Sequence, residues 1–200
     1  SRNTINQALN LLESSGLIYR KQGSGTYIRP VLDIDRNSIN VHQFTDGFTD
    51  SASKDNKEVE TKVVSFEMVL SDESISKKLS VDIKTPLFEV IRLRIADAKV
   101  VCYEVNLIPV SILPSLNPKV MSGSFFKYAQ DELDKKIKNA SIAITAPSAT
   151  DKVKEALQLT DDQTVVVRSK GTVFLEGGQP LEFIDTYYRP EFFNLETTVN

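Results

Sequence analysis

The sequence predicts an α+β protein built from a short helix and hairpin at the N-terminus and a longer antiparallel sheet with helices packed on one face. Apolar residues near the N-terminus recur at helical spacing, and the region after residue 60 contains a weak internal repeat of helix, strand, hairpin and strand. A 200-residue chain with 40% hydrophobic residues can bury a sizeable core and allows one or two domains.

The N-terminal helix is predicted from an apolar stripe at positions i, i+3, i+4 and i+7. Ser1 suits the N-cap, and Gly16 stands where a helix usually ends. The opposite face is polar, which is compatible either with reading base edges in a DNA groove or with ordinary solvation. The stripe consists of Ile5, Ala8, Leu9 and Leu12, and the polar face of Arg2, Asn3, Asn6, Gln7 and Asn10.

The stretch YRKQGSGTY at residues 19–27 raises a choice between a phosphate-binding loop and a hairpin tip. A phosphate loop requires a following helix and a third glycine, but Ile28 occupies that position and Pro30 ends an extended run. Alternating residues on both sides of Gly23-Ser24-Gly25 therefore predict two short strands joined by a turn, with Arg20 and Lys21 just before the tip.

Residues 1–28 follow the pattern S-R-x-T-[IV]-x-x-A-L-x-x-L-x-x-x-G-L-[IL]-x-R-x-x-G-x-G-T-[FY]-[IV]. This segment resembles the recognition helix and wing of the GntR-type winged helix-turn-helix repressors. The resemblance implies that the first two helices of such a domain precede Ser1, so that the chain begins inside the domain. It also implies DNA contacts from the helix by Arg2, Thr4, Asn6 and Gln7, and from the wing by Arg20, Lys21, Gly23, Ser24 and Gly25. Many relatives carry Arg at the position of Asn6, so that contact is expected to differ.

The distribution of charged residues also distinguishes the N-terminal segment from the rest of the chain. Residues 1–30 hold four basic and one acidic residue, a net charge of +3, whereas the remaining 20 basic and 26 acidic residues give −6. This asymmetry indicates a small nucleic-acid-contacting end joined to a domain with another role. We predict a DNA-binding part over 1–30, a linker over 31–43, rich in turn-forming and acidic residues, and a second domain over 44–200.

Other function classes find little support in the composition. Cys102 has no second cysteine for an internal disulfide, and together with the lone His42 it cannot form a metal cluster. No cofactor is expected. The sequence has no apolar run of about 18 residues and no signal-like start, which favours a cytoplasmic protein without a membrane partner.

The internal repeat aligns residues 75–109 with residues 153–190 at an offset of 78. The alignment places Arg92 on Lys170 and Glu104 on Glu182. Each copy is interpreted as a short helix, a turn, a long strand, a hairpin and a second strand. The two copies predict an antiparallel sheet made from two related hairpins.

The strand LFEVIRLRI places Arg92 and Arg94 on one face with apolar residues. Such arginines either lie on an exposed edge strand or, if buried, are paired or meet an anion. A two-residue loop at Asp97-Ala98 would set Arg92 opposite Tyr103, and a three-residue loop would set it opposite Glu104. We favour the second register, because Glu104 then balances the arginines.

The segment MSGSFFKYAQDELDKKIKN is predicted to be helical, with a solvated face over residues 131–138. Ser122, Gly123 and Ser124 precede its first turn, where hydroxyls and free N–H groups either attract an anion or simply cap the helix. Its inner stripe is predicted to be Phe126, Ala129, Leu133 and Ile137.

Residues 44–198 resemble the effector domain of the HutC branch of these repressors, the UTRA domain, which has a chorismate-lyase-like fold. The resemblance rests on R-L-R at 92–94, Glu104 with Ile108-Pro109, the Ser-Gly-Ser helix start, and GGQPLEF followed by Tyr187-Tyr188-Arg189-Pro190. It implies an anion site at Arg92, Arg94, Ser122 and Ser124, with Glu104, Glu182 and Tyr188 around sugar hydroxyls.

Three functions remain open from the sequence. The first is a homodimeric transcriptional repressor that binds operator DNA and responds to a small anionic effector, with a phosphorylated sugar favoured. The second is an enzyme of chorismate-lyase-like fold, although no nucleophile–base–orienter set is visible. The third is a DNA-binding protein without an effector, in which the arginines are structural.

Overall fold

The N-terminal elements form as predicted in a computed structural model, which describes residues 2–14, 18–21, 23–28 and 59–193. Helix α1 (Arg2–Ser14) is followed by strands β1 (Ile18–Lys21) and β2 (Gly25–Ile28), which pair antiparallel with Lys21 opposite Gly25. Gly23 and Gly25 adopt positive φ angles of 75° and 132°, a conformation that glycine adopts without steric cost. The hairpin prediction is therefore confirmed, whereas Ser1 and Gly16 lie outside the described residues.

The apolar stripe of α1 is only partly covered within the described residues. Ile5 is 61% exposed and Leu12 is 39% exposed, and α1 contacts strand β1 of the hairpin. Ile18, at the start of β1, is by contrast buried.

The second part of the chain is built on a six-stranded antiparallel sheet in the order β3-β4-β5-β8-β7-β6. Hairpins join β4 to β5 and β7 to β8, and the two hairpins meet along β5 and β8 at the centre. The strands are β3 (Val59–Leu70), β4 (Pro86–Ala96), β5 (Lys99–Pro109), β6 (Ile137–Thr145), β7 (Val167–Leu175) and β8 (Pro180–Tyr188).

Helices pack on both faces of this sheet, so the expectation of helices on one face is wrong. Helices α2 (Glu73–Leu79), α3 (Pro118–Met121), α4 (Phe125–Leu133) and α5 (Asp151–Leu157) follow in chain order. Leu79 of α2 packs with Leu87 and Phe183 on one face, where α5 also packs. Met121 and Phe125, from α3 and α4, pack with Phe88 and its neighbours on the other face. The central strands β5 and β8 carry buried residues on both faces and need cover on each.

The register between β4 and β5 is the predicted one, but a bulge produces it instead of a three-residue loop. Arg92 lies opposite Glu104 although the loop has two residues, Asp97 and Ala98, both with positive φ. A bulge after Arg94 supplies the extra residue, because Arg94 pairs with Cys102 while the next residue pairs with Val100.

Helix α4 is shorter than its predicted stripe. It ends at Leu133, where Asp134 adopts a left-handed conformation with φ 48°, and Ile137 begins strand β6 instead of extending the helix. The buried residues of α4 are Phe125 and Ala129, while Phe126 is half-buried against the same core.

The two halves of the sheet follow the same element order, with α2-β4-β5 corresponding to α5-β7-β8. The aligned glutamates, Glu104 and Glu182, lie on one face of the sheet. The aligned basic residues, Arg92 and Lys170, do not occupy equivalent positions. Lys170 pairs with Asp185 on the opposite face of the sheet, and the residue opposite Glu182 is Val173. Residues 31–43, the predicted linker, lie outside the described residues.

Among the residues that the structure describes, no helix is long and apolar enough to span a membrane.

Candidate functional site

A cluster of buried polar side chains occupies one face of strands β4, β5 and β8. Cross-strand pairing brings Arg92 beside Glu104, Arg94 beside Cys102, and Cys102 beside Tyr188. The exposed fractions of Arg92 and Arg94 are only 3% and 4%, so the arginines are not the exposed edge-strand residues of the alternative interpretation. The cluster consists of Arg92, Arg94, Cys102, Glu104, Asn106, Glu182 and Tyr188.

The two guanidinium groups converge on one carboxylate oxygen. Arg92 Nη2 lies 2.7 Å from Glu104 Oε2, and Arg94 Nε lies 3.3 Å from the same oxygen. Arg92 Nη1 also donates to the backbone carbonyl of Met121 at 3.3 Å, and Arg94 Nη1 donates to the Thr61 hydroxyl on β3. Each arginine therefore contacts Glu104 and at least one further group, and two buried cations flank one ionised carboxylate.

Asn106 connects the arginines to the second buried carboxyl group. Its Oδ1 accepts a hydrogen bond from Arg92 Nε at 3.2 Å, and its Nδ2 donates to Glu182 Oε2 at 2.9 Å. Since an amide presents an acceptor on one side and a donor on the other, the two partners fix the orientation of Asn106. Glu182 has only 1% of its surface exposed.

The two carboxyl groups have opposite pKa shifts. Burial raises the pKa of Glu104, but Arg94 and Arg92 outweigh that effect, so its pKa lies below the usual value. Burial also raises the pKa of Glu182, and here the more distant Arg92 and the Asn106 amide compensate only in part, which leaves it at about 7. Burial and the neighbouring Arg94 lower the pKa of Arg92. Near neutral pH the cluster therefore holds two cations, one anion and one partly ionised acid.

Cys102 and Tyr188 complete the cluster as neutral groups. Burial, followed by the charge of Glu104, raises the pKa of the Cys102 thiol well above its usual value, and its Sγ lies 3.8 Å from Glu104 Oε1. Burial likewise raises the pKa of Tyr188, whose hydroxyl lies 3.3 Å from Ser169 Oγ. Glu182 and Tyr188 share a face of β8 and lie at different ends of the cluster.

The two serines of the helix start lie in the chain between Met121 and Phe125, both of which contact Arg92. Ser122 is exposed, and its hydroxyl donates to the carbonyl of Lys119 at 2.9 Å, which closes helix α3. Ser124 is half-buried at the N-cap position of α4 and makes no side-chain capping bond there. Arg92 contacts Met121, the residue directly before Ser122. The serine segment is therefore attached to the arginines through the backbone.

The predicted DNA-contacting residues occupy two elements at the N-terminus. Their side chains on α1 are exposed, as are Arg20 and the tip residues Gly23 to Gly25, while the side chain of Lys21 lies outside the described parts. Tyr27 braces the wing tip, because its hydroxyl lies 2.7 Å from Ser24 Oγ. The residues on α1 are Arg2, Thr4, Asn6 and Gln7.

Sequence reasoning missed two groups that organise the cluster, Asn106 and Thr61. Asn106 could have been found, because it lies two residues after Glu104 in the same strand and must share its face. Thr61 pairs with Arg94 from β3, which is 33 residues away in the chain, and no local pattern indicates that contact. The contact between Arg92 and the backbone carbonyl of Met121 likewise cannot be predicted from a pattern of side chains.

The cluster is chemically suited to holding an anion next to hydroxyl groups. Two buried guanidinium groups lie close together on one sheet face, and such groups attract an anion. Carboxyl groups at Glu104 and Glu182 offer acceptors for hydroxyl groups, and Glu182 in its protonated form also offers a donor.

Comparison with known proteins places these features in context. Residues 54–194 match the family described as the UTRA domain. The chain is 31% identical over 201 residues to the HTH-type transcriptional regulator GmuR of Bacillus subtilis strain 168, which covers 100% of this chain and 83% of that protein. It is 29% identical over 194 residues to the regulator TreR of the same organism, covering 96% of this chain and 79% of TreR.

Solved structures share the same fold. The crystal structure of YydK, described as a possible transcriptional regulator from Bacillus subtilis, superposes with a TM-score of 0.79 at 22% identity. The match covers 100% of this chain and 84% of YydK. At this level of identity the likeness demonstrates a common architecture.

Proposed function

Because the chain belongs to the UTRA-domain family of HTH-type transcriptional regulators, we propose that it is a repressor whose affinity for operator DNA is modulated by a small anionic metabolite. A phosphorylated sugar is the favoured effector. The proposal divides the chain into a DNA-binding part at 1–30, a linker at 31–43 and an effector domain at 44–200.

The observation that carries the effector proposal is the pairing of two buried arginines with one ionised carboxylate. Arg92 and Arg94 lie 2.7 Å and 3.3 Å from a single oxygen of Glu104. Two guanidinium groups held this close together in a buried site form a positively charged surface that an anion can contact. A phosphate group can accept hydrogen bonds from both arginines, while the rest of a sugar presents hydroxyl groups to Glu104, Glu182 and Tyr188. Ser122 and Ser124 would approach the phosphate from the helix start.

Support for DNA binding comes from the exposed polar face of α1 beside a basic hairpin. Arg2, Asn6 and Gln7 supply side chains that hydrogen-bond to base edges. Arg20 and Lys21, next to the glycine turn, suit contacts with the phosphate backbone. We propose that two copies act as a homodimer, because two half-sites supply specificity that one small DNA-reading element lacks.

The proposal assigns binding rather than catalysis to the buried cluster and places the protein in the cytoplasm, where DNA and metabolites meet. For the effector to act, it must bind one arrangement of the DNA-binding parts more tightly than another. The contact between Arg92 and the Met121 carbonyl offers a physical link, since an anion that repositions Arg92 alters the contact that holds the α3–α4 segment.

The effector proposal is tested by thermal unfolding in the presence of phosphorylated sugars and the same sugars without phosphate. A phosphorylated effector at about 100 times its Kd should raise Tm by about 5 to 10 °C. Arg92→Ala should abolish this shift. Arg168→Ala is the matched control, because Arg168 also pairs with a carboxylate, Asp185, but on the other face of the sheet. Equal shifts with both kinds of sugar, or an unchanged shift in Arg92→Ala, would count against the anion site.

A second experiment tests the regulatory part. DNA sites selected by the full-length protein from a random-sequence library are used in gel retardation, with and without an effector found by thermal shift. The proposal requires the effector to change the midpoint of retardation, and the Arg92→Ala variant should retain DNA binding but lose that response. Failure to enrich any DNA sequence would contradict a role as a sequence-specific regulator.

A further inference from the structure

Asn106 is the side chain that joins the two buried carboxyl groups of the cluster into one network. It is 2% exposed, accepts a hydrogen bond from Arg92 Nε at 3.2 Å, and donates one to Glu182 Oε2 at 2.9 Å. Arg92 in turn lies 2.7 Å from Glu104. The network therefore runs from Glu104 through Arg92 and Asn106 to Glu182.

From this geometry we infer that Asn106 is a positioning residue that couples anion binding at Arg92 and Arg94 to the uptake of one proton by Glu182. The inference rests on the proposed anion site and assigns a regulation to it. In the free protein the arginines favour ionised Glu182. A bound anion neutralises them and adds negative charge, so the Glu182 carboxylate takes a proton from solvent and becomes a neutral acid.

The surroundings of Glu182 leave few other groups to control its proton. The charged or titratable groups that face it are Arg92 and Arg94 on β4 and Glu104 on β5, and the same sheet face also carries Cys102 and Tyr188. On the adjacent strand β7, Val173 lies opposite Glu182, and Ser169 lies farther along the same face. The charged residues of α3 and α4, namely Lys119, Lys127, Asp131 and Glu132, are exposed.

The pKa of Glu182 lies where the coupling can be measured near neutral pH. Burial raises the pKa of Glu182 to about 7 in the free protein. A bound anion raises it further, so the affinity for an anion should fall as pH rises from about 7 to the pKa of the bound state. The fall should be at most about tenfold per pH unit, because a single proton is coupled.

Sulfate is a suitable probe, because its charge is constant across this range. Its Kd would be measured by thermal shift at pH 6, 7, 8 and 9, with ionic strength held constant by NaCl. In parallel, carbon-13 NMR of the glutamate carboxyl groups would follow Glu182, assigned by Glu182→Gln, with and without sulfate. We expect weaker sulfate binding above pH 7 in the unsubstituted protein, and a Glu182 titration midpoint that rises when sulfate is added.

Two variants separate positioning from a merely structural role. Glu182→Gln should bind sulfate with an affinity that is flat between pH 7 and 9. Asn106→Leu removes the hydrogen bond to the Glu182 carboxylate, so it should raise the Glu182 midpoint in the free protein and move the pH dependence upward. A purely structural Asn106 would weaken sulfate binding equally at every pH and leave the midpoint in place. If Asn106→Leu does not fold, Glu182→Gln and the NMR titration of the unsubstituted protein decide the matter.

The possible failures are distinguishable. Sulfate binding that is lost in Arg92→Ala but independent of pH in the unsubstituted protein would overturn the proton coupling and leave the anion site standing. Sulfate binding that is absent, or unaffected by Arg92→Ala, would overturn the anion site and the coupling together.

Discussion

At the scale of single residues, Glu104 and Glu182 show how the surroundings give two identical side chains different pKa values. Both are buried on the same sheet face, yet Glu104 contacts two guanidinium groups whereas Glu182 meets the amide of Asn106. The pKa of Glu104 is consequently lowered and that of Glu182 is raised to about 7. Of these two carboxyl groups, only that of Glu182 can change its charge near neutral pH.

Glu182 should make the folded state less stable as the pH rises. Its folded-state pKa of about 7 lies above the unfolded value, so the folded protein binds the extra proton between about pH 4 and 7. The free energy of unfolding should therefore fall across that range and stay lower above it. We expect Glu182→Gln to raise the free energy of unfolding at pH 8 by on the order of 1–3 kcal/mol relative to the effect at pH 5.

Urea denaturation at pH 5 and pH 8 measures this difference. Glu176→Gln is the matched control, because Glu176 is exposed and should give the same small effect at both pH values. A Glu182→Gln variant whose stability relative to the unsubstituted protein does not change with pH would mean that Glu182 titrates normally.

At the scale of elements, the β4–β5 hairpin depends on a turn whose sequence is not ideal. Asp97 and Ala98 both have positive φ, 49° and 61°, and a two-residue turn of this kind favours glycine at its second position. The bulge that follows Arg94 then sets Arg92 opposite Glu104. Turn and bulge together place the arginine pair.

Replacing Ala98 with glycine should stabilise the protein, because it removes the steric cost of a left-handed alanine. The expected gain in the free energy of unfolding is about 0.5–1 kcal/mol, measured by urea denaturation. Ala156→Gly is the control within helix α5, where the same change should destabilise by about 1 kcal/mol. Destabilisation by Ala98→Gly would mean that the left-handed conformation of Ala98 costs less than the conformational entropy that glycine loses on folding.

The pairing of β6 with β7 depends on Gly171. A Cβ at this position would overlap the backbone carbonyl oxygen of Ser141 and lie 2.8 Å from Ile142 Cδ1. Gly171→Ala should therefore lower the free energy of unfolding by about 1–3 kcal/mol, because the backbone of β6 must shift.

Gly123→Ala provides the comparison for this prediction. A Cβ at Gly123 meets only the Val120 carbonyl oxygen at 3.6 Å, an ordinary contact, so the change should have little effect on stability. Urea denaturation of the two variants would contradict the interpretation if their stabilities were equal.

At the scale of the whole molecule, the opposite net charges of the two ends agree with the separate roles proposed for them. Residues 1–30 carry a net charge of +3, and the buried cluster lies on strands β4, β5 and β8 of the second part. A regulator of this kind requires two activities that can be removed one at a time.

Replacing Arg2 and Lys21 with alanine should abolish retardation of a selected DNA site, because it removes two cationic contacts from the helix and the wing. The affinity for an anionic effector, measured by thermal shift, should stay unchanged. Lys152→Ala is the control, since Lys152 is an exposed lysine on α5. Simultaneous loss of both activities in the Arg2 and Lys21 variant would show that the division into two modules is wrong.

The sequence by itself determined the helix and hairpin at the N-terminus, the two hairpins of the sheet, and the shared face of Arg92 and Arg94. These features follow from local periodicity, turn residues and charge, which a linear pattern records. Family membership was likewise evident from motifs at fixed spacing, and the match over residues 54–194 confirms it.

The tertiary structure alone decided the bulge behind Arg94, the Thr61 and Met121 contacts, the end of α4 before Ile137, and the placement of helices on both faces. Each depends on segments that are distant in the chain and compete for the same space or hydrogen bonds. The pKa of Glu182 belongs to the same group, because burial and the distance to the arginines arise only when β4, β5 and β8 come together.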